Sequence, residues 1–138
     1  MIIMDTNVLS ALMQQTPEPN VIRWLDLQPR TSLWITSITV FEVNFGLQIL
    51  EPGKRRLFLQ QAFEAVLEKI SYRIASFDGD AAQQASDLAA LRRRKGRPID
   101  LRDTMIAGIV LANNATLSTR NTSHFRDISA KVVNPWVL

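Results

Sequence analysis

Apolar residues along the chain fall into short blocks that alternate with longer stretches of helical spacing. Met1 to Met4 is an apolar run cut short by Asp5-Thr6-Asn7, which predicts a buried strand running into helix-start chemistry. Val8 to Met13 reads as a first short helix. Thr16-Pro17-Glu18-Pro19-Asn20 reads as loop, and Val21, Trp24 and Leu25 lie at helical spacing before Pro29. Leu33-Trp34-Ile35 predicts a second strand, closed by Thr36-Ser37, and a helix from Ile38 to Leu50 stops before Pro52-Gly53. Lys54 to Ile70 predicts a long amphipathic helix with Leu57, Phe58, Phe63, Val66, Leu67 and Ile70 on its apolar face.

The second half repeats the alternation. Arg73 to Ser76 predicts a short strand, Asp78 to Arg94 an alanine-rich helix broken by Gly96 and Pro98, and Asp100 to Asn113 the most apolar helix of the chain. Strands follow at Thr116 to Thr119 and Lys131 to Val133. Short apolar strands interleaved with helices predict an α/β sandwich with a mostly parallel sheet, in one domain over residues 1–138.

Within that frame the carboxylates occupy telling positions. Functional crevices of open α/β sheets lie at the carboxyl ends of the strands, and Asp5 stands at such an end, where it also suits a helix cap. Glu42 lies in a helix with few other charges, sharing a face with Ile38 and Phe45. A carboxylate on such a stripe must protonate, pair with a cation or bind metal. Asp100 and Asp103 open the apolar helix in a capping-box spacing. Asp100 fits the cap, whereas Asp103 shares a face with Ile106, Ala107 and Val110 and points toward the crevice.

Composition narrows the chemistry. The chain has no cysteine and one histidine, His124, so thiol nucleophiles, cysteine zinc sites and paired-imidazole sites are excluded. There is no Gly-x-Ser-x-Gly and no glycine-rich phosphate loop. His124 reads as a surface or loop residue. Several carboxylates at one mouth, with oxygen donors only, suit a hard divalent cation and metal-assisted phosphodiester hydrolysis. The net charge is +3, but Asp5, Glu42, Asp100 and Asp103 gathered at one site leave sixteen basic against nine acidic side chains elsewhere. Arg92, Arg93, Arg94, Lys95, Arg97 and Arg102 form the densest basic cluster, either a polyanion-binding face or a solvated helix end. No signal segment precedes Asp5, and no apolar run reaches membrane-spanning length. A cytoplasmic protein is therefore expected.

Four segments together resemble a known family: Asp5-Thr6-Asn7-Val8-Leu9-Ser10, the Glu42 helix, Asp103-Thr104-Met105-Ile106-Ala107-Gly108, and Ser118-Thr119-Arg120-Asn121-Thr122-Ser123-His124-Phe125, with Asn134-Pro135-Trp136 near the end. In order and spacing they resemble the PIN-domain ribonucleases, of the VapC and FitB type found in bacterial toxin–antitoxin modules. The resemblance implies a three-layer sandwich with a central parallel sheet, and a site of Asp5, Glu42 and Asp103 around Mg²⁺, with Mn²⁺ as a substitute. Thr119 and Asn7 match residues that support the acids. Asn121 stands where many members carry a fourth acid, leaving one or two ions open, and Gly108 replaces a more usual alanine, which reads as packing. The resemblance further implies cleavage of RNA to leave a 5′ phosphate, with Arg120 and the cluster of Arg92, Arg93, Arg94 and Lys95 holding phosphates. It implies a homodimer, a cognate antitoxin that covers the site, and a joint complex on operator DNA. The rival expectation is a catalytically weak protein that serves as partner in a DNA-binding repressor complex.

Overall fold

The strands are short and almost wholly apolar because both faces of the sheet are covered, the condition under which parallel strands lose the alternation of half-exposed ones. The computed structural model describes residues 1–138. β1 (Ile2–Met4) runs directly into α1 (Thr6–Leu12). After α2 (Pro19–Asp26) and a 3₁₀ turn at Arg30–Ser32, β2 (Leu33–Thr36) leads into α3 (Ser37–Ile49) and α4 (Lys54–Lys69). β3 (Ile74–Ala75), α5 (Gly79–Arg94), α6 (Leu101–Ala112), β4 (Thr116–Ser118) and β5 (Val132–Val133) follow, with a second 3₁₀ turn at Thr122–Phe125.

The sheet order is β3-β2-β1-β4-β5, and every neighbouring pair is parallel. Ile2 lies opposite both Leu33 and Thr116, and Met4 opposite Ser118, so β1 is the central strand. The chain builds outward from β1 on one side through β2 and β3, then returns to its other side with β4 and β5. That reversal makes the carboxyl ends of β1 and β4 the switch point where a crevice opens. Three layers result. Successive residues of β1 point to opposite faces: Met4 packs with Val8, Leu9, Val43, Leu47 and Phe63, while Ile3 packs with Ala81, Leu88, Ile106, Ile109 and Leu117.

Local chemistry sets the helix ends. Asp5, Thr36, Asp78 and Asp100 each accept a backbone N–H of the helix they precede. At its other end, α5 closes with Gly96 in the left-handed region (φ +67°), its N–H bonded to Arg93 and that of Arg97 to Arg92. α4 and α6 close the same way with Ser71 and Asn114 in place of glycine.

Two apolar faces differ from the sequence expectation. On α4 the core takes Phe63, Val66 and Leu67, whereas Leu57 and Phe58, at its amino-terminal end, are largely exposed. On α3 the buried stripe is Thr39, Val43 and Leu47, and Phe45 lies on the solvent side. Glu42 therefore sits at the edge of the buried stripe and not among apolar side chains, which is why it can reach a solvent-open crevice.

Candidate active site

At the switch point a cavity of about 600 Å³ opens, lined by Asp5, Glu42, Asp103, Asn121 and Arg120 among others. Each acid comes from a different element: Asp5 from the end of β1, Glu42 from the second turn of α3, Asp103 from the first turn of α6. Residues 98 positions apart in sequence thus share one mouth because β1 lies between β2 and β4.

Asp5 is almost fully buried, with 3% of its surface exposed. One carboxylate oxygen accepts the Thr6 N–H at 2.8 Å, which caps α1. The other accepts the Thr119 hydroxyl at 2.7 Å and the Asn7 amide at 3.3 Å. The Asp5 N–H is itself bonded to the Ser118 carbonyl, so β4 fixes the backbone as well. Burial pushes the Asp5 carboxyl up to about 6, against the lowering effect of the Thr119 and Thr6 hydrogen bonds; the charges of Asp103 and Glu42 push it further up. Asn7 also reaches Thr119, and the Asn121 N–H donates to the Thr119 hydroxyl oxygen at 3.0 Å. Thr119 and Asn7 thus hold Asp5, and Asn121 is tied to the same hydroxyl.

Glu42 is held by a run of hydroxyls that sequence reading did not single out. Thr6 donates to Glu42 Oε1 at 2.8 Å, and Thr39 lies 3.0 Å from the Thr6 hydroxyl. Thr36 in turn lies 3.3 Å from Thr39. A carboxylate only accepts, and a hydroxyl has one proton. The protons must therefore run from Thr36 to Thr39 to Thr6 to Glu42, which leaves Glu42 Oε2 free apart from Arg102 at 3.7 Å. The signal was present in Thr6, Thr36 and Thr39, but their convergence requires α1 and α3 to be packed together.

Asp103 is paired with His124. The Nδ1 atom lies 2.7 Å from Asp103 Oδ2, close enough for an Nδ1–H to donate to that carboxylate. His124 is half-exposed, as a loop residue should be, yet it is also the direct partner of a site acid. What places it there is a second departure from expectation.

Arg92 does not face solvent. It is 2% exposed and spends its guanidinium inside the protein: Nε and Nη2 form a bidentate pair with Asp127, Nη2 also donates to the His124 carbonyl at 2.7 Å, and Nη1 to the Thr104 hydroxyl at 2.9 Å. Arg92 consequently leaves the set of phosphate-binding candidates. The pairing holds the Asp127 carboxyl below its ordinary range. Arg93, Arg94 and Lys95, on the other hand, are exposed. Asp100 caps α6 through the Arg102 N–H and does not line the cavity.

As they stand, no three acidic or histidine side chains close around a single point as a ready chelate. The donor set nevertheless fits a hard cation: every carboxylate donor is an oxygen, and the charges of Asp103 and Glu42 add to burial in raising the Asp5 carboxyl. Mg²⁺ takes only one or two carboxylates directly and keeps several waters. Asp5, Asp103 and Glu42 are the residues that would hold it.

A parallel α/β sheet with three carboxylates gathered in one pocket at its switch point defines the class of domain. Comparison with known proteins makes the class specific. The model of the family described as PIN domain matches residues 2–131. The chain is 37% identical to VapC ribonuclease Y4jK of Sinorhizobium fredii, covering 99% of this chain and 98% of that protein. It is 31% identical to toxin FitB of Neisseria gonorrhoeae, covering 99% of each. Among solved structures it resembles VapBC2 from Rickettsia felis bound to a DNA fragment from their promoter, with a TM-score of 0.83, 26% identity and 97% and 98% of the two chains covered. This chain belongs to the PIN-domain family.

Proposed function

We propose that the chain is a divalent-metal-dependent endoribonuclease, the toxin of a toxin–antitoxin module. The observation that carries this reading is the meeting of Asp5, Glu42 and Asp103 in one pocket, with the Asp5 carboxyl driven up to about 6 by burial and by the other two. A relative named a ribonuclease and another named a toxin, both aligned over nearly the whole chain, support it. Mg²⁺ is the ion that the donor set favours, with Mn²⁺ as a substitute. Asp5 and Asp103 would hold such an ion, which would supply a lowered water pKa and charge stabilisation at a phosphoryl oxygen.

The protein's own groups do the rest. Glu42, with Oε1 held by Thr6, keeps Oε2 to accept a proton from the attacking water. Thr119 and Asn7 hold the Asp5 oxygens at fixed positions, and His124 does the same for Asp103. The Asn121 amide oxygen can accept from a water in place of a fourth carboxylate. Attack in line with the leaving 3′ oxygen would leave a 5′ phosphate.

The partners of this reading are an antitoxin that covers the pocket and, jointly, operator DNA. The relative structure on promoter DNA supports that assembly. A homodimer is supported by α3, where Phe41 and Phe45 stack at 6.1 Å and, with Ile49, form an exposed apolar stripe one helical face wide. The decisive experiment is cleavage of a mixed tRNA, rRNA and mRNA pool by antitoxin-free protein, with Mg²⁺ or EDTA, beside Asp5→Asn. Metal-dependent cleavage that the mutant lacks is expected. Folded protein that neither cleaves RNA nor binds Mg²⁺ would instead make the chain a repressor partner, with Asn121 as the mark of lost catalysis.

A further inference from the structure

Four carboxylates line the cavity, Asp5, Glu18, Glu42 and Asp103, and a single cationic side chain, Arg120, stands among them. Ordinary electrostatics would draw that guanidinium onto an acid. Arg120 forms an ion pair with none of them; the pairs near the site are Arg102 with Glu42 and His124 with Asp103. Its guanidinium carbon lies over the Trp136 ring instead, 5.1 Å from the centroid.

The stack is anchored at both ends. The Arg120 N–H donates to Asn7 Oδ1 at 3.1 Å, so the arm springs from the residue that also holds Asp5. The Trp136 N–H donates to Asn134 Oδ1, and its carbonyl accepts the Asn20 amide, each at 2.9 Å. Trp136 also packs against the core on the α1 side of the sheet. A planar guanidinium is weakly hydrated and suits an aromatic face, where the attraction is worth about 0.5–1 kcal/mol at an exposed site.

We propose that Trp136 is a positioning residue: its indole holds Arg120, the phosphate arm of the nuclease reading, off the carboxylates of this pocket. The inference rests on the nuclease reading for its substrate and on the Arg120–Trp136 geometry for everything else. An acid-lined mouth repels a phosphodiester, and Arg120 is the one lining group that can offset that repulsion with paired N–H donors. The same cation, released onto Asp5 or Glu42, would compete with a divalent ion for the same oxygens. Two ligands of one set of charges weaken each other reciprocally. The indole separates the two roles.

The test measures RNA cleavage and, without RNA, Mn²⁺ binding by calorimetry, for wild type, Arg120→Ala, Arg120→Lys, Trp136→Leu and the Trp136→Leu/Arg120→Ala double variant. Arg120→Ala is expected to lower kcat/KM about 100-fold, the scale of losing one anion-stabilising donor, while Mn²⁺ affinity holds or rises. Trp136→Leu should weaken Mn²⁺ binding about fivefold, and removing Arg120 in the double variant should restore it. Arg120→Lys, a compact charge that stacks poorly, should weaken Mn²⁺ binding below that of Arg120→Ala; this comparison stands even where Trp136→Leu fails to fold. Unchanged cleavage by Arg120→Ala would overturn the phosphate role. Equal Mn²⁺ affinity across all variants would overturn the holding role. Wild type that cleaves nothing would refute the nuclease reading by itself, with the Mn²⁺ series still deciding what the stack does.

Discussion

Asp5 uses one carboxylate as helix cap, cavity wall and charge, and these roles conflict in a way that can be measured. Its folded carboxyl, pushed up to about 6, holds its proton far above the range near 4 of an unfolded aspartate. The native state therefore binds more protons between those values. The stability tied to protonated Asp5 is complete below about pH 4 and is lost as pH rises through 6. Above that, the ionised group costs about 3 kcal/mol in the absence of a cation. Asp5→Asn should accordingly melt at or above wild type at pH 7.5 without metal, and that advantage should vanish at pH 4.5. Added Mg²⁺ should raise the Tm of wild type and leave the mutant where it was; equal responses would take Asp5 out of the cation's reach. At this scale, the sequence announced the acids through their isolation at strand and helix ends. It could not announce which oxygens are already engaged, because Thr119 reaches Asp5, and Thr6 reaches Glu42, from elements remote in the chain.

Elements meet most closely where side chains are smallest. A Cβ added at Gly108 would lie 2.5 Å from the Ala81 carbonyl oxygen and 2.7 Å from the Ala85 Cβ, with α5 backbone as the obstacle. Gly108→Ala should destabilise by about 1–3 kcal/mol through overpacking, and more where the backbone cannot yield; chemical denaturation gives the value. Arg92→Ala leaves Asp127, Thr104 and the His124 carbonyl without their donor. It should cost roughly 1–3 kcal/mol, the scale of leaving acceptors without their donor, because Asp127 is partly open to water. Helix spans were legible to within about two residues because caps and breakers are local: Thr36, Asp78 and Asp100 before their helices, Gly96 after one. The faces of those helices were less legible. Arg92 sits in a run of exposed bases, and only Asp127, 35 residues later, turns it inward. Phe45 and Leu57 follow helical spacing as core residues do, yet no layer of the sheet covers them.

Across the whole molecule, Phe41, Phe45 and Ile49 of α3 form an exposed apolar stripe. Phe45→Glu places a carboxylate in the exposed α3 stripe and should shift sedimentation from dimer to monomer without lowering Tm; a monomeric wild type would remove the stripe's assignment. Replacing Arg93, Arg94 and Lys95 by alanine should weaken RNA binding and reduce its log–log salt slope by about 0.7 for each phosphate no longer neutralised. An unchanged slope would leave that cluster as a solvated helix end. The sheet order has a consequence for timing. β1 is made before both its neighbours and lies at the centre, with β2 on one side and β4 on the other. On a ribosome adding about 10 residues per second, the gap between β2 and β4 lasts on the order of ten seconds. Throughout that interval one edge of β1 is bare, Thr119 has not been made, and Asp5 lacks its backbone partner Ser118. A chain that stops short of β4 therefore lacks both the Ser118 carbonyl and the Thr119 hydroxyl that hold Asp5, whatever acids it already contains.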